Sequence, residues 1–163
     1  MKRLVILMVL AVPMMVSAQK FGYVNTQELF QLMPEVKTAQ ARIDSLSSQY
    51  ETMFANMQEE YKKKAADYEK NSATMTEAMK QIQEEELYGM QQRIQTAYQT
   101  AQQDLQTKQQ EFLVPIRERM MKAIQTVGEK SGYTYIFDSQ AMVYTAPNAD
   151  NLLEPVKKEL GIK

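Results

Sequence analysis

From Val36 onward the apolar positions fall at Val36, Ala39, Ile43, Leu46, Tyr50, Met53 and Met57, in alternating steps of three and four. That spacing is a heptad seam, a narrow stripe along one helix that faces a partner helix. The stripe loosens through Tyr61, Ala65 and Tyr68 before Asn71-Ser72-Ala73-Thr74, residues that suit a turn better than a helix interior. Thr74 precedes Glu77 by three, the spacing of a capping box, so a second helix is predicted to start there. Its stripe returns through Met79, Ile82, Leu87, Met90, Ile94, Ala97, Ala101, Leu105, Phe112, Ile116, Met120, Ile124 and Val127. Glu86 and Gln109 stand where a tight seam wants apolar groups, so the pair is predicted to pack loosely. Pro34 suits the first turn of the first long helix. Pro115 falls inside the second and predicts a bend near residues 111–115.

Shorter signals flank this region. Phe21-Gly22-Tyr23-Val24 is aromatic and β-prone, and Asn25-Thr26-Gln27-Glu28 has the form of another capping box, ahead of a short helix carrying Leu29, Phe30, Leu32 and Met33. Gly128 and Gly132 are predicted to bracket the end of the second long helix. Beyond it, Tyr133 to Phe137 reads as a strand, Asp138-Ser139-Gln140 as a turn, and Met142 to Thr145 as an antiparallel partner strand. A lone hairpin is marginal, so Phe21 to Val24 is predicted to add a third strand. Asn151-x-x-Glu154 is predicted to cap a last helix that carries Val156 and Leu160. The fold class expected is α+β, a small β-sheet body with a long projecting antiparallel coiled-coil helical hairpin. The body comprises residues 19–37 and 113–163, the arm residues 38–112, and the tip lies near residues 71–76.

Residues 1–18 have a different character. Lys2 and Arg3 precede an apolar run from Leu4 to Val16, and Ser17-Ala18 follow. This is the plan of a cleavable signal peptide and is too short to span a bilayer comfortably. It implies export, with residues 19–163 as a single mature domain. Without Lys2 and Arg3 the chain keeps 17 basic against 20 acidic residues, a net charge of -3, which gives no general attraction to nucleic acid or anionic lipid. A body this small buries too little surface to hold up two projecting helices alone, so an oligomer with a shared core is expected.

The residue inventory excludes most catalysis. There is no histidine, cysteine or tryptophan, so imidazole acid-base chemistry, thiolate nucleophiles and the usual zinc sites are ruled out, and disulfides with them. Glu84-Glu85-Glu86 fans around a helix axis instead of converging on a metal, and Lys62-Lys63-Lys64 follows Glu59-Glu60 as a solvated face. No glycine-rich phosphate loop occurs. No catalytic residue, metal or cofactor is expected. The unusual feature is methionine, 13 in all, a flexible and polarisable side chain suited to varied apolar partners. Met57, Met75, Met79 and Met90 on the arm, with the off-seam aromatics Phe54, Tyr88 and Tyr98, are the candidate client-facing residues.

With these pieces placed in order, the chain resembles the Skp (OmpH-like) family of periplasmic chaperones. The resemblance rests on Gly22-Tyr23-Val24-Asn25, Phe30, Pro34-Glu35 and Phe112-x-x-Pro115-Ile116, then Gly132-Tyr133-x-Tyr135-Ile136-Phe137-Asp138, Val143-Tyr144-x-Ala146 and Asp150. It implies a jellyfish-like homotrimer whose body uses Phe21, Tyr23, Val24, Tyr135, Phe137, Val143 and Tyr144. It further implies ATP-independent holding of unfolded outer-membrane β-barrel proteins. This chain departs from the family in charge: residues 35–120 hold 11 basic against 14 acidic groups. Lipopolysaccharide or membrane-surface contact is therefore not carried over. The other reading of the residues is a structural coiled-coil scaffold protein of the cell envelope.

Overall fold

The computed structural model describes residues 19–162, and the signal-peptide expectation for residues 1–18 lies outside them. The chain opens with β1 (Phe21–Val24) and α1 (Thr26–Leu32), followed by two long helices, α2 (Pro34–Asn71) and α3 (Glu77–Ser131). Then come β2 (Tyr135–Asp138), β3 (Asp150–Asn151) and α4 (Leu153–Leu160). The break between α1 and α2 follows from Pro34. A residue before proline is pushed out of the α region, and Met33 is extended at φ -70°, ψ 124°, with Pro34 opening the next helix. Between the long helices runs a single 3-10 turn, Ser72–Thr74. The residue that starts α3 is Thr76: its hydroxyl accepts from Met79 N at 3.3 Å. Thr74, the residue expected there, instead donates back to the Asn71 carbonyl at 2.9 Å.

The chain separates into two compact units. One joins the N-terminal segment through Thr26 to Ala123–Gly161, and the other is Gln27–Lys122. In the first, β1 lies between β2 and β3, and both pairings are parallel. Phe21 faces Tyr135 and Tyr23 faces Phe137 in register. Parallel neighbours need long connections, and α1 to α3 supply one between β1 and β2. Val24, Ala123, Ile124, Val127, Leu152, Val156 and Leu160 are the buried side chains of this unit among the described residues. Two glycines are set by close approach. A Cβ on Gly22 would lie 2.8 Å from Leu152 Cδ1, and one on Gly128 would lie 2.9 Å from Ile136 Cδ1. Gly128 is thus a packing position inside α3, and the helix gives way at Gly132, with φ +68°.

Two features expected from the sequence are corrected here. Met142–Thr145 is not a strand, and the sheet is not antiparallel. After β2 the Asp138 carboxylate accepts from Gln140 N at 3.1 Å and starts a 3-10 turn, Ser139–Ala141. The next segment to reach the sheet is Asp150–Asn151, on the far side of β1. Leu152 N donates to Tyr23 O at 2.8 Å, and Asn151 Oδ1 accepts from Leu153 N at 3.0 Å as α4 begins.

The second correction concerns the coiled coil. A heptad seam should enclose its a and d side chains, yet within residues 35–115 only Ala39, Met90 and Ala101 are buried. Met53, Met79 and Ile82, all seam positions, are exposed. The fold is therefore a mostly helical α+β chain with one small three-stranded sheet. The expected coiled-coil hairpin falls with its seam, and the jellyfish-like homotrimer that the family resemblance implied is not carried by this fold.

One contact ties the start of α1 to the end of β2: Thr26 Oγ1 donates to the Asp138 carboxylate. That bond holds the Asp138 pKa below the usual aspartate value, against a smaller opposing effect of burial and with help from backbone N–H groups. A lowered folded pKa stabilises above the unfolded value and loses that contribution as pH falls through the folded one. Urea unfolding at neutral pH is expected to find Asp138→Asn less stable than the parent. The gap should close as pH drops from about 5 towards 2. A gap that stays constant over that range would contradict the assignment.

Candidate functional site

The helix pair in the unit Gln27–Lys122 is held by side chains that reach across with polar ends. Tyr50 OH donates to Asp104 Oδ2 at 2.8 Å, Gln58 Nε2 to Tyr98 OH at 2.9 Å, and Gln91 Nε2 to Tyr61 OH at 2.6 Å. Farther out Lys64 pairs with Glu86, and Tyr68 OH donates to Glu84. Residue numbers fall on α3 as they rise on α2, so the helices run antiparallel along this ladder. Four of its five rungs use a tyrosine. Pattern reading placed Tyr50, Tyr61 and Tyr68 on an apolar stripe, which they do follow. It missed that each phenol carries a hydroxyl to the opposite helix, where a half-buried ring with a wet tip is well accommodated. The carboxylate acceptors raise the Tyr50 and Tyr68 pKa values, mainly through these hydrogen bonds.

The candidate client-facing residues divide sharply. Tyr88 and Met79 are 64% and 52% exposed, whereas Met90 is only 4% exposed and is enclosed by the pair. Met57 and Met75 are half-buried. Phe54 and Tyr98, read as off-seam aromatics, stack on each other with ring centroids 3.8 Å apart, and Tyr50 lies 6.3 Å from Phe54. Two open grooves run along the pair. One of about 510 Å³ is lined by Tyr50, Met53, Ala97 and Ala101, and one of about 590 Å³ by Tyr61, Ile94, Tyr98 and several glutamines. Their walls combine apolar surface with amides and hydroxyls, and the first also carries the Arg93 side chain. Such a surface can accept an apolar segment without fixing its sequence.

The unit containing the sheet carries a second apolar surface. Phe21, Tyr135 and Phe137 form a cluster with centroid separations of 5.9 to 6.2 Å, and all three are exposed. Val143 and Tyr144 are also exposed, on the segment between β2 and β3. Val24, from the same group of expected body residues, is buried, and Tyr23 is half-buried. Alternation along β1 separates them: successive side chains leave a strand on opposite faces.

Neither surface holds the makings of a reaction centre. Among the described residues no three acidic side chains gather as a metal site. The three acidic residues of the ladder, Glu84, Glu86 and Asp104, are each spent on a partner across the pair. Among the described residues, too, no helix is long and apolar enough to cross a membrane.

Comparison with known proteins gives a consistent result. Residues 20–160 match the family model "Outer membrane protein (OmpH-like)". A chaperone protein Skp from Yersinia enterocolitica is 25% identical over 149 residues, covering 91% of each chain. One from Vibrio cholerae is 27% identical over 158 residues, covering 88% of this chain and 85% of the relative. Among solved structures, an outer membrane chaperone (OmpH-like) from Caulobacter crescentus CB15 superposes with a TM-score of 0.77 at 15% identity. That match covers 87% of this chain and 83% of the other.

Proposed function

Because the chain belongs to the OmpH-like outer membrane protein family, we propose that it is a periplasmic chaperone acting as an ATP-independent holdase. Its clients on this reading are unfolded outer-membrane β-barrel proteins, kept from aggregating in transit. The observation that carries the proposal is the pair of long helices with open apolar grooves and exposed Met79 and Tyr88. An unfolded β-barrel chain offers alternating apolar side chains with no fixed order, and such a chain needs many weak contacts in place of one specific pocket. Export through residues 1–18 is part of the same reading. The family match supports it by starting at residue 20, just past the apolar run. The chain is not an enzyme: it belongs to a family whose curated relatives are named as chaperones, and it has neither histidine nor cysteine.

Charge has a different place in this proposal from apolar contact. The acidic excess of the arm region makes long-range attraction of clients weak, so holding should survive salt. The test is light scattering of a urea-diluted outer-membrane barrel protein with the mature chain present. Suppression is expected near equimolar ratio and should change less than about twofold between roughly 0.05 and 0.5 M salt. Met79→Ser with Tyr88→Ser is expected to raise the concentration needed by several-fold, since each removes apolar area from contact. Undiminished aggregation at equimolar or higher concentration overturns the proposal.

A further inference from the structure

Gly89 lies inside α3, three turns from its N-terminal end, yet a Cβ there would meet nothing within 4 Å. Neither packing nor backbone conformation asks for glycine at this position: the positive-φ glycines are Gly132 and Gly161. A glycine inside a helix weakens it by about 1 kcal/mol relative to alanine, so α3 carries a soft point without a steric reason. Polar rungs run along the whole pair, but the enclosed side chains end beside Gly89. On the near side Met90 and Ala101 are buried. On the far side, from Lys62 round the 3-10 turn to Gly89, no side chain is fully enclosed. The closing contacts seen there are the Lys64–Glu86 and Tyr68–Glu84 rungs, both polar and at least part-exposed. Exposed polar pairs add little to stability.

We infer that the segment from Lys62 to Tyr88 opens as a unit about Gly89 while the rest of the pair stays closed. Local opening of this kind needs few buried contacts and a weak point in the backbone, and both are present at the same place. Opening frees Ala65, Met75 and Leu87, which are half-buried in the closed form. It thereby enlarges the apolar surface on demand. That use rests on the holdase reading, whereas the opening itself does not.

Amide hydrogen exchange of the mature chain, without any client, is the test. Amides of residues 62–88 are expected to exchange at least tenfold faster than those of residues 92–110. Gly89→Ala should slow exchange in residues 62–88 by about fivefold, leaving residues 92–110 unchanged. Glu86→Gln and Tyr68→Phe should each accelerate the same segment. Equal protection on both sides of Gly89 overturns the inference. So does a Gly89→Ala effect that is absent or spread evenly along α3. Should these exchange results hold while the aggregation assay fails, the device stands and the holdase reading does not.

Discussion

Leu152→Ala is expected to destabilise the sheet-containing unit by about 3 kcal/mol, and Gly22→Ala by about 1–2 kcal/mol, but the two together by clearly less than their sum. Leu152 is buried, and its Cδ1 and Cγ lie 2.8 and 3.1 Å from where a Cβ on Gly22 would sit. Truncating Leu152 removes both atoms and leaves a cavity. Adding a methyl group at residue 22 drives into those same atoms. In the double variant the new methyl occupies part of the vacated space, though Tyr133 Cε1, at 3.1 Å, still crowds it. Urea unfolding of the four chains gives the coupling, expected at about 1 kcal/mol or more in the favourable direction. Strict additivity would mean that the crowding at Gly22 is relieved some other way.

Leu29→Ala should cost a similar amount, about 3 kcal/mol, and lower the melting temperature by on the order of 10 °C. Leu29 and Met33 show no exposure at all, four residues apart across the α1–α2 junction. Around them Arg117 lies over the Phe30 ring at 5.7 Å, and Arg119 pairs with Glu35. The control is in the same helix. Leu32 is 41% exposed, so Leu32→Ala should shift stability by less than about 0.5 kcal/mol. Equal effects at the two leucines would show that α1 is not seated as described.

The long helices were legible because periodicity averages over many residues, and because Pro34 imposes its own geometry on Met33. What failed depended on single atoms or on partners far away in sequence. Met142 to Thr145 has strand-like residues, but strand propensity describes a side chain that fits a half-buried surface. Here Val143 and Tyr144 stay in solvent while Asp150 and Asn151 take the free edge of β1. The capping residue moved from Thr74 to Thr76 because both are threonines and only the backbone path decides between them. The tyrosines followed the apolar spacing faithfully, and yet their hydroxyls link the helices. A period reports where a ring points, not what its far end touches. Of the candidate contact residues, spacing could not separate Met79, which faces water, from Met90, which does not.

The parallel sheet also constrains when this protein can finish folding. Phe21 pairs with Tyr135 and Gly22 with Asp150, so the central strand emerges first and its two neighbours more than a hundred residues later. Loop closure over such distances is slow relative to helix formation. A chain moving from its N-terminus can form α1 and α2 early, but β1 must wait, with Phe21 and Tyr23 unpaired, until almost the last helix has arrived. Premature truncation before Asp150 therefore leaves an aggregation-prone strand edge on a molecule whose two long helices are already complete but which lacks α4.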